Sequence, residues 1–208
     1  MGGLSSNASA LCARQGLIHR LDGITRDTRG SAAIEFALLS GPFLVFLCSI
    51  IQVFLIVWAT QNLEESLQRA ARVIYTGDFQ TGNKTEKDSA KLLSSLKSRM
   101  CANGASVIPS AFDCDALKLN VAVSSSFASG TPASAVDDKT GTWSSGFGAA
   151  YGCANPGDIV VISAAVKYPV AFGFLNYGTP SFADGSRLIQ STAVIRTEAY
   201  NTTSGSAC

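Results

Sequence analysis

No charged residue stands between Glu35 and Glu64, and the stretch from Phe43 to Ala59 is almost wholly apolar. The 28 residues from Phe36 to Leu63 would make a helix about 42 Å long at a rise of about 1.5 Å per residue. Beyond them Leu63, Leu67, Ala70, Ala71 and Ile74 recur every three or four positions, which is the spacing of one helical face. Glu65 precedes Arg69 by four residues, a favourable pair on a helix, and Gly77 stands where a helix ends on a left-handed cap. The pattern therefore predicts one helix from Ser31 to Thr76. Residues 78–83 read as a polar turn. Thr85 to Met100 reads as a second helix, with Ala90, Leu93, Leu96, Lys97 and Met100 on its inner face and Lys97 burying only its stem.

From there the period changes. Leu117, Leu119, Val121 and Val123 alternate with other residues, predicting a strand over 116–127 with one buried face. Ile159 to Val170 is apolar on both sides, as a central strand is. Leu188 to Tyr200 predicts a third strand beside it. Residues 128–157 and 171–186 are rich in Gly, Ser, Thr, Asp and Pro and read as loops. A loop of about 30 residues is unusual in a compact domain, so the first either hides a short element or serves as a partner surface. Phe172, Phe174 and Tyr177 read either as core filling or as an exposed aromatic patch.

The apolar run outlasts the hydrocarbon core of a bilayer, about 30 Å, so it is long enough to cross a membrane and project beyond it. Trp58 lies near its far end, where an indole favours the interface. A secretory signal is the competing reading, and Val57-Trp58-Ala59 resembles a cleavage site, but an apolar signal region ends at about 15 residues. Arg14, Arg20, Arg26 and Arg29 precede the run against Asp22 and Asp27, while Glu64 and Glu65 follow it. That asymmetry places the N-terminus in the cytoplasm and the C-terminal domain outside.

Composition sharpens the picture. Charged residues are 15% of the chain, against about a quarter in soluble domains, and the net charge of +1 gives no bulk attraction for nucleic acid. Of six cysteines, Cys12 and Cys48 lie in the arm and the apolar run, and Cys101, Cys114, Cys153 and Cys208 lie beyond. No C-x-x-C spacing occurs, which argues against zinc and thioredoxin-like chemistry. Four cysteines in a Ser/Gly/Thr-rich domain imply two disulfides and an oxidising compartment. Three pairings are open; the favoured one joins Cys101 to Cys114 across a short loop and Cys153 to Cys208 at the C-terminus. The only histidine, His19, precedes the apolar run, so the distal domain holds no Ser-His-Asp or Cys-His arrangement. Asp113 with Asp115, and Asp137 with Asp138, are acid pairs that read as solvated loop residues rather than a calcium site. No phosphate-binding glycine pattern is present. No catalytic residue, cofactor or metal is expected, and the chain reads as a non-enzyme.

The most informative segment is Arg26-Asp-Thr-Arg-Gly30-Ser31-Ala-Ala-Ile-Glu35-Phe36. A carboxylate at the head of an apolar run is costly, about 2.5–3.5 kcal/mol at the bilayer centre and less near the edge, so Glu35 needs a reason. The spacing resembles a prepilin processing site, at which a peptidase cuts after a glycine and a glutamate stands fifth in the mature chain. Ser31-Ala-Ala-Ile-Glu35-Phe-Ala-Leu-Leu, the Pro42 that opens Pro-Phe-Leu-Val-Phe-Leu, and Leu67-Gln-Arg-Ala-Ala-Arg72-Val-Ile-Tyr-Thr-Gly77 together resemble the TadE-like pseudopilin family. Asp158 to Pro169 and Val194 to Tyr200 resemble its C-terminal strands, with Ala199 departing from the proline often found there. The resemblance implies removal of residues 1–30 by a prepilin peptidase, with Gly30, Ser31 and Glu35 as the processing site. It also implies partnership with other pilins or pseudopilins and with the inner-membrane machinery of the tight-adherence (Tad, Flp-type) pilus.

The expected organisation is α+β: a cytoplasmic leader over 1–30, a transmembrane spine helix over 31–76, and a periplasmic domain over 77–208. That domain is a small antiparallel sheet with one further helix. The expected setting is a bacterial inner membrane, crossed once, with the chain acting by assembly in contact with lipid. The alternative is an uncleaved single-pass envelope protein with a periplasmic binding or adhesive domain.

Overall fold

The computed structural model describes residues 30–101, 111–170, 172–173 and 182–200. The chain divides into two compact units, Met1–Cys48 and Ser49–Cys208. Helix α1 (Ser31–Tyr75) begins in the first and continues into the second. Then follow α2 (Asp78–Gly82), α3 (Ser89–Cys101), β1 (Lys118–Ser124), a 3-10 turn at Phe127–Ser129, β2 (Val136–Asp137), β3 (Thr142–Trp143), β4 (Ile159–Tyr168) and β5 (Arg187–Arg196). The fold is α+β, as the pattern predicts. The predicted 31–76 helix and α1 agree to within one residue.

Within the second unit, β4 lies at the centre of a three-stranded antiparallel sheet ordered β1-β4-β5. Val121 faces Ile162 across one pair and Ala193 faces Ile162 across the other, so these three share a face. Directly opposed residues on one face are what stabilises a sheet. With Leu119, Val160, Ala164, Val166 and Ile189, this face packs on Ala59, Leu63, Leu67, Ala70 and Ile74 of α1 and on Leu92, Leu93, Leu96 and Met100 of α3. The β2–β3 hairpin covers the second face, where Ala135 and Phe147 close on Ala165 with Trp143 and Leu188 beside them. Covering on both faces explains why β4 is buried for eight consecutive residues.

Four local expectations are corrected. Residues 78–83 are not simply a polar turn: α2 occupies 78–82 and drives Phe79 fully into the core. The second helix starts at Ser89 rather than Thr85, and Ala90 is exposed while Leu92 takes its place inside. The first strand is shorter than 116–127, and Val123 is 40% exposed. The predicted 128–157 loop contains the β2–β3 hairpin, whose two-residue strands carry too little pattern to be read.

Candidate functional site

Gly30 adjoins the first turn of α1 and is exposed. A Cβ added there would meet nothing within 4 Å. Ser31 opens the helix, and its Oγ–H donates to Glu35 Oε1 at 2.9 Å, which brings positions i and i+4 into contact on one helical face. Residues 31–39 are all exposed, so Glu35 meets Ser31 rather than a core. Pro42 lies inside the helix, where its missing N–H leaves the Leu38 carbonyl without the usual donor. Ser40 Oγ–H donates to the Ala37 carbonyl in the same region, 3.2 Å. Gly41 again has nothing within 4 Å of an added Cβ.

Many of the apolar side chains that follow are exposed among the described residues. Phe36, Leu38, Leu39, Phe43, Phe46 and Phe54 are each more than 60% exposed. By length and composition α1 is the one candidate membrane span among the described residues. Its C-terminal turns are different: Ala59, Leu63, Leu67 and Ile74 are fully buried. A cut after Ala59 would pass through a helix that is part of a domain core, which disfavours the signal-peptide reading.

The segment after β5 returns to the end of this helix. The Glu198 N–H donates to the Tyr75 carbonyl at 2.9 Å. Gly77 has φ of 79°, and an added Cβ would lie 2.3 Å from the Tyr200 ring. The Tyr200 hydroxyl donates to the Ala154 carbonyl, 2.6 Å. Residues 67–77 and 194–200, which carry two parts of the family resemblance, are therefore in direct contact. Sequence reading did not find that contact. It also missed Gln52, buried at 5% exposure, whose Oε1 accepts the Phe172 N–H at 3.0 Å. A signal existed: Gln52 is the one amide between Phe36 and Thr60, and an amide buried without a bond costs free energy.

Cys101 and Cys114 form a disulfide with Cα atoms 6.0 Å apart. Cys153 is also disulfide-bonded, and Cys208 lies outside the described residues, as does Cys12. Cys48 is a free thiol. The loop acids serve their own turns: Asp113 Oδ1 accepts the Asp115 N–H and Asp137 Oδ1 accepts the Lys139 N–H. No group of three His, Cys, Asp or Glu side chains suited to a metal occurs among the described residues. Asp184 and Tyr151 are the two ionisable groups displaced furthest among the described residues of the domain. A hydrogen bond from Lys167, with further ones from Ser186, holds the Asp184 carboxyl down to about 2. Burial, with a contribution from Tyr200, pushes the Tyr151 phenol well above its usual range.

The helix head, the apolar face and the amphipathic continuation all fall within one matched segment: residues 30–72 match the family model for TadE-like protein. This segment is TadE-like. No curated protein and no solved structure matches the chain. The exposed span fits a membrane-anchored protein.

Proposed function

We propose that this chain is a pseudopilin or minor pilin of the Tad pilus, processed by a prepilin peptidase between Gly30 and Ser31. It acts by helix packing and carries out no reaction of its own. The observation that supports this most directly is the Ser31–Glu35 contact at the head of a helix whose first nine residues are all exposed. In the unprocessed chain the Ser31 hydroxyl is the donor. After cleavage the Ser31 α-ammonium would lie within one helical turn of the same carboxylate. The pair would then offset the cost of carrying Glu35 into an apolar environment. Alternatively, each charge would find its opposite on a neighbouring subunit.

In this reading the leader stays cytoplasmic, α1 crosses the inner membrane, and the sheet domain lies in the periplasm, where disulfides persist. Assembly moves the exposed apolar face of α1 from lipid onto other pilus helices. The size of the domain beyond the spine suits an initiating or capping subunit better than a repeating one. The test is the intact mass of the chain purified from membranes. A mature chain beginning at Ser31 is expected. A chain beginning at Met1 in cells with an active prepilin peptidase would overturn the reading in favour of an uncleaved anchor.

A further inference from the structure

Within the second unit, the turns of α1 from Ser49 to Leu63 have two distinct faces. Gln52, Ala59 and Leu63 are buried, with Leu55 and Ile56 half-buried between them, and this face packs on the domain. The opposite face presents Ile50, Ile51, Val53, Phe54, Val57 and Trp58, all exposed. It turns polar only at Gln61, Glu64 and Glu65. Domain packing and lipid-type surface therefore overlap along the same turns, from Gln52 to Trp58, roughly 10 Å of helix. A domain held clear of the bilayer would start packing after the exposed face had become polar. This one starts two turns earlier.

The group that meets Gln52 is the backbone of Phe172, bonded at 3.0 Å. By contrast, the Ala111 N–H donates to Asn62 Oδ1 at 3.3 Å, beyond the change in polarity. The Gln52 bond thus fixes the chain at Phe172 to a turn whose far side is still apolar. Phe172 is half-buried and Gly173 exposed. Tyr168, Pro169, Val170, Phe172 and Gly173 carry no charge, so desolvating them strands no ion.

We infer that the segment at Phe172 is a lipid-interface anchor, and that the domain sits partly sunk into the headgroup region at the far end of the span. The ligand is the boundary between phospholipid headgroups and acyl chains. Interfacial elements reach about 5–10 Å into that boundary, which matches the overlap along α1. The surface is continuous with the apolar face of the span, and lipid is the one occupant that covers both without a seam. Because Phe172 and Gly173 carry no charge, their association does not depend on anionic headgroups. The inference rests on reading α1 as a membrane span and is independent of processing or piliation.

The full chain in vesicles of phosphatidylethanolamine and phosphatidylglycerol, photolabelled by a carbene probe dissolved in the acyl region, gives the direct test. Label is expected on peptides covering 50–58 and also on the peptide containing Phe172. Label on 50–58 without Phe172 overturns the anchor and leaves the span. Label on neither overturns both. A second readout uses Phe172→Trp in a Trp58→Phe, Trp143→Phe background, leaving one indole. Lipids brominated near the headgroup should lower its emission at least twofold, with acrylamide ineffective. Quenching by acrylamide instead, or protection from both quenchers by a protein partner, refutes the assignment.

Discussion

Gly30 and Gly77 show how differently one residue type is constrained. At Gly30 an added Cβ would touch nothing, so the fold makes no demand for glycine there, and any demand must come from outside the chain. Gly30→Leu should therefore insert and fold as the parent does yet retain residues 1–30, read as an unshortened intact mass. A trimmed Gly30→Leu chain would refute processing at this bond. At Gly77 the demand is internal. Its φ of 79° costs an L-residue about 1–2 kcal/mol, and its Cβ would enter a Tyr200 ring held by the hydroxyl bond to Ala154. Gly77→Ala should lower stability by at least that amount, and Tyr200→Ala in the same chain should recover the steric part. Urea titration of both in one detergent checks it; equal loss with and without Tyr200 would rule out the ring contact. Asp184 supplies a pH dependence. Its carboxyl falls from 3.8 to about 2 through Lys167 and Ser186. A depressed acid stabilises the fold fully above the unfolded value, and that contribution fades as pH falls through about 2. A carboxyl-carbon NMR titration should find the low midpoint, and Lys167→Gln should raise it toward the ordinary range.

Elements with long, unambiguous patterns were legible, and short ones were not. α1 and β4 announce themselves because long apolar runs mark them in the sequence: β4 is apolar on both sides because helices cover one face and the hairpin the other. α2 has only five residues and ends in glycine, so no periodicity betrays that Phe79 is a core anchor. In α3 the helix period was clear but its phase was not, and Leu92 rather than Ala90 faces inward. Alternation along β1 names the face of Val123 but not how far the covering layer reaches. At the head of α1 the Ser31–Glu35 contact was readable because its spacing is local. The Gln52–Phe172 bond joins residues 120 apart, and only the folded chain brings them together. The Cys101–Cys114 link is a local feature with a calculable effect. It closes a loop of separation 13, for which chain-entropy arguments give about 3 kcal/mol. The double change Cys101→Ser, Cys114→Ser should cost about 2–4 kcal/mol by urea unfolding of the full chain in detergent. A change below 0.5 kcal/mol would mean the unfolded state is already restrained, since small residual effects are what such states absorb.

For the whole molecule the governing fact is an apolar surface that stands exposed among the described residues. From Ile34 to Trp58, α1 exposes fifteen large hydrophobic side chains, far more contiguous apolar area than the few hundred Å² typical of soluble monomers. Something else must cover it, and a bilayer is the cover that length and composition fit. Lipid contact makes a graded demand along the helix. Counted from Phe36 to the interfacial Trp58, Phe46 falls near the middle and Phe54 toward the far end. An arginine at the centre costs about 2.5–3.5 kcal/mol on insertion scales, whereas one near the boundary snorkels to the headgroups. Phe46→Arg should therefore sharply lower the inserted fraction of the full chain, and Phe54→Arg should leave most of it inserted. Both side chains are more than 60% exposed, so neither substitution disturbs a core, and any difference reports depth alone. Alkaline extraction of membranes separates the outcomes. Equal loss at both positions would mean that protein, not lipid, covers the whole face, because a packed helix interface penalises a buried charge at either site without regard to depth.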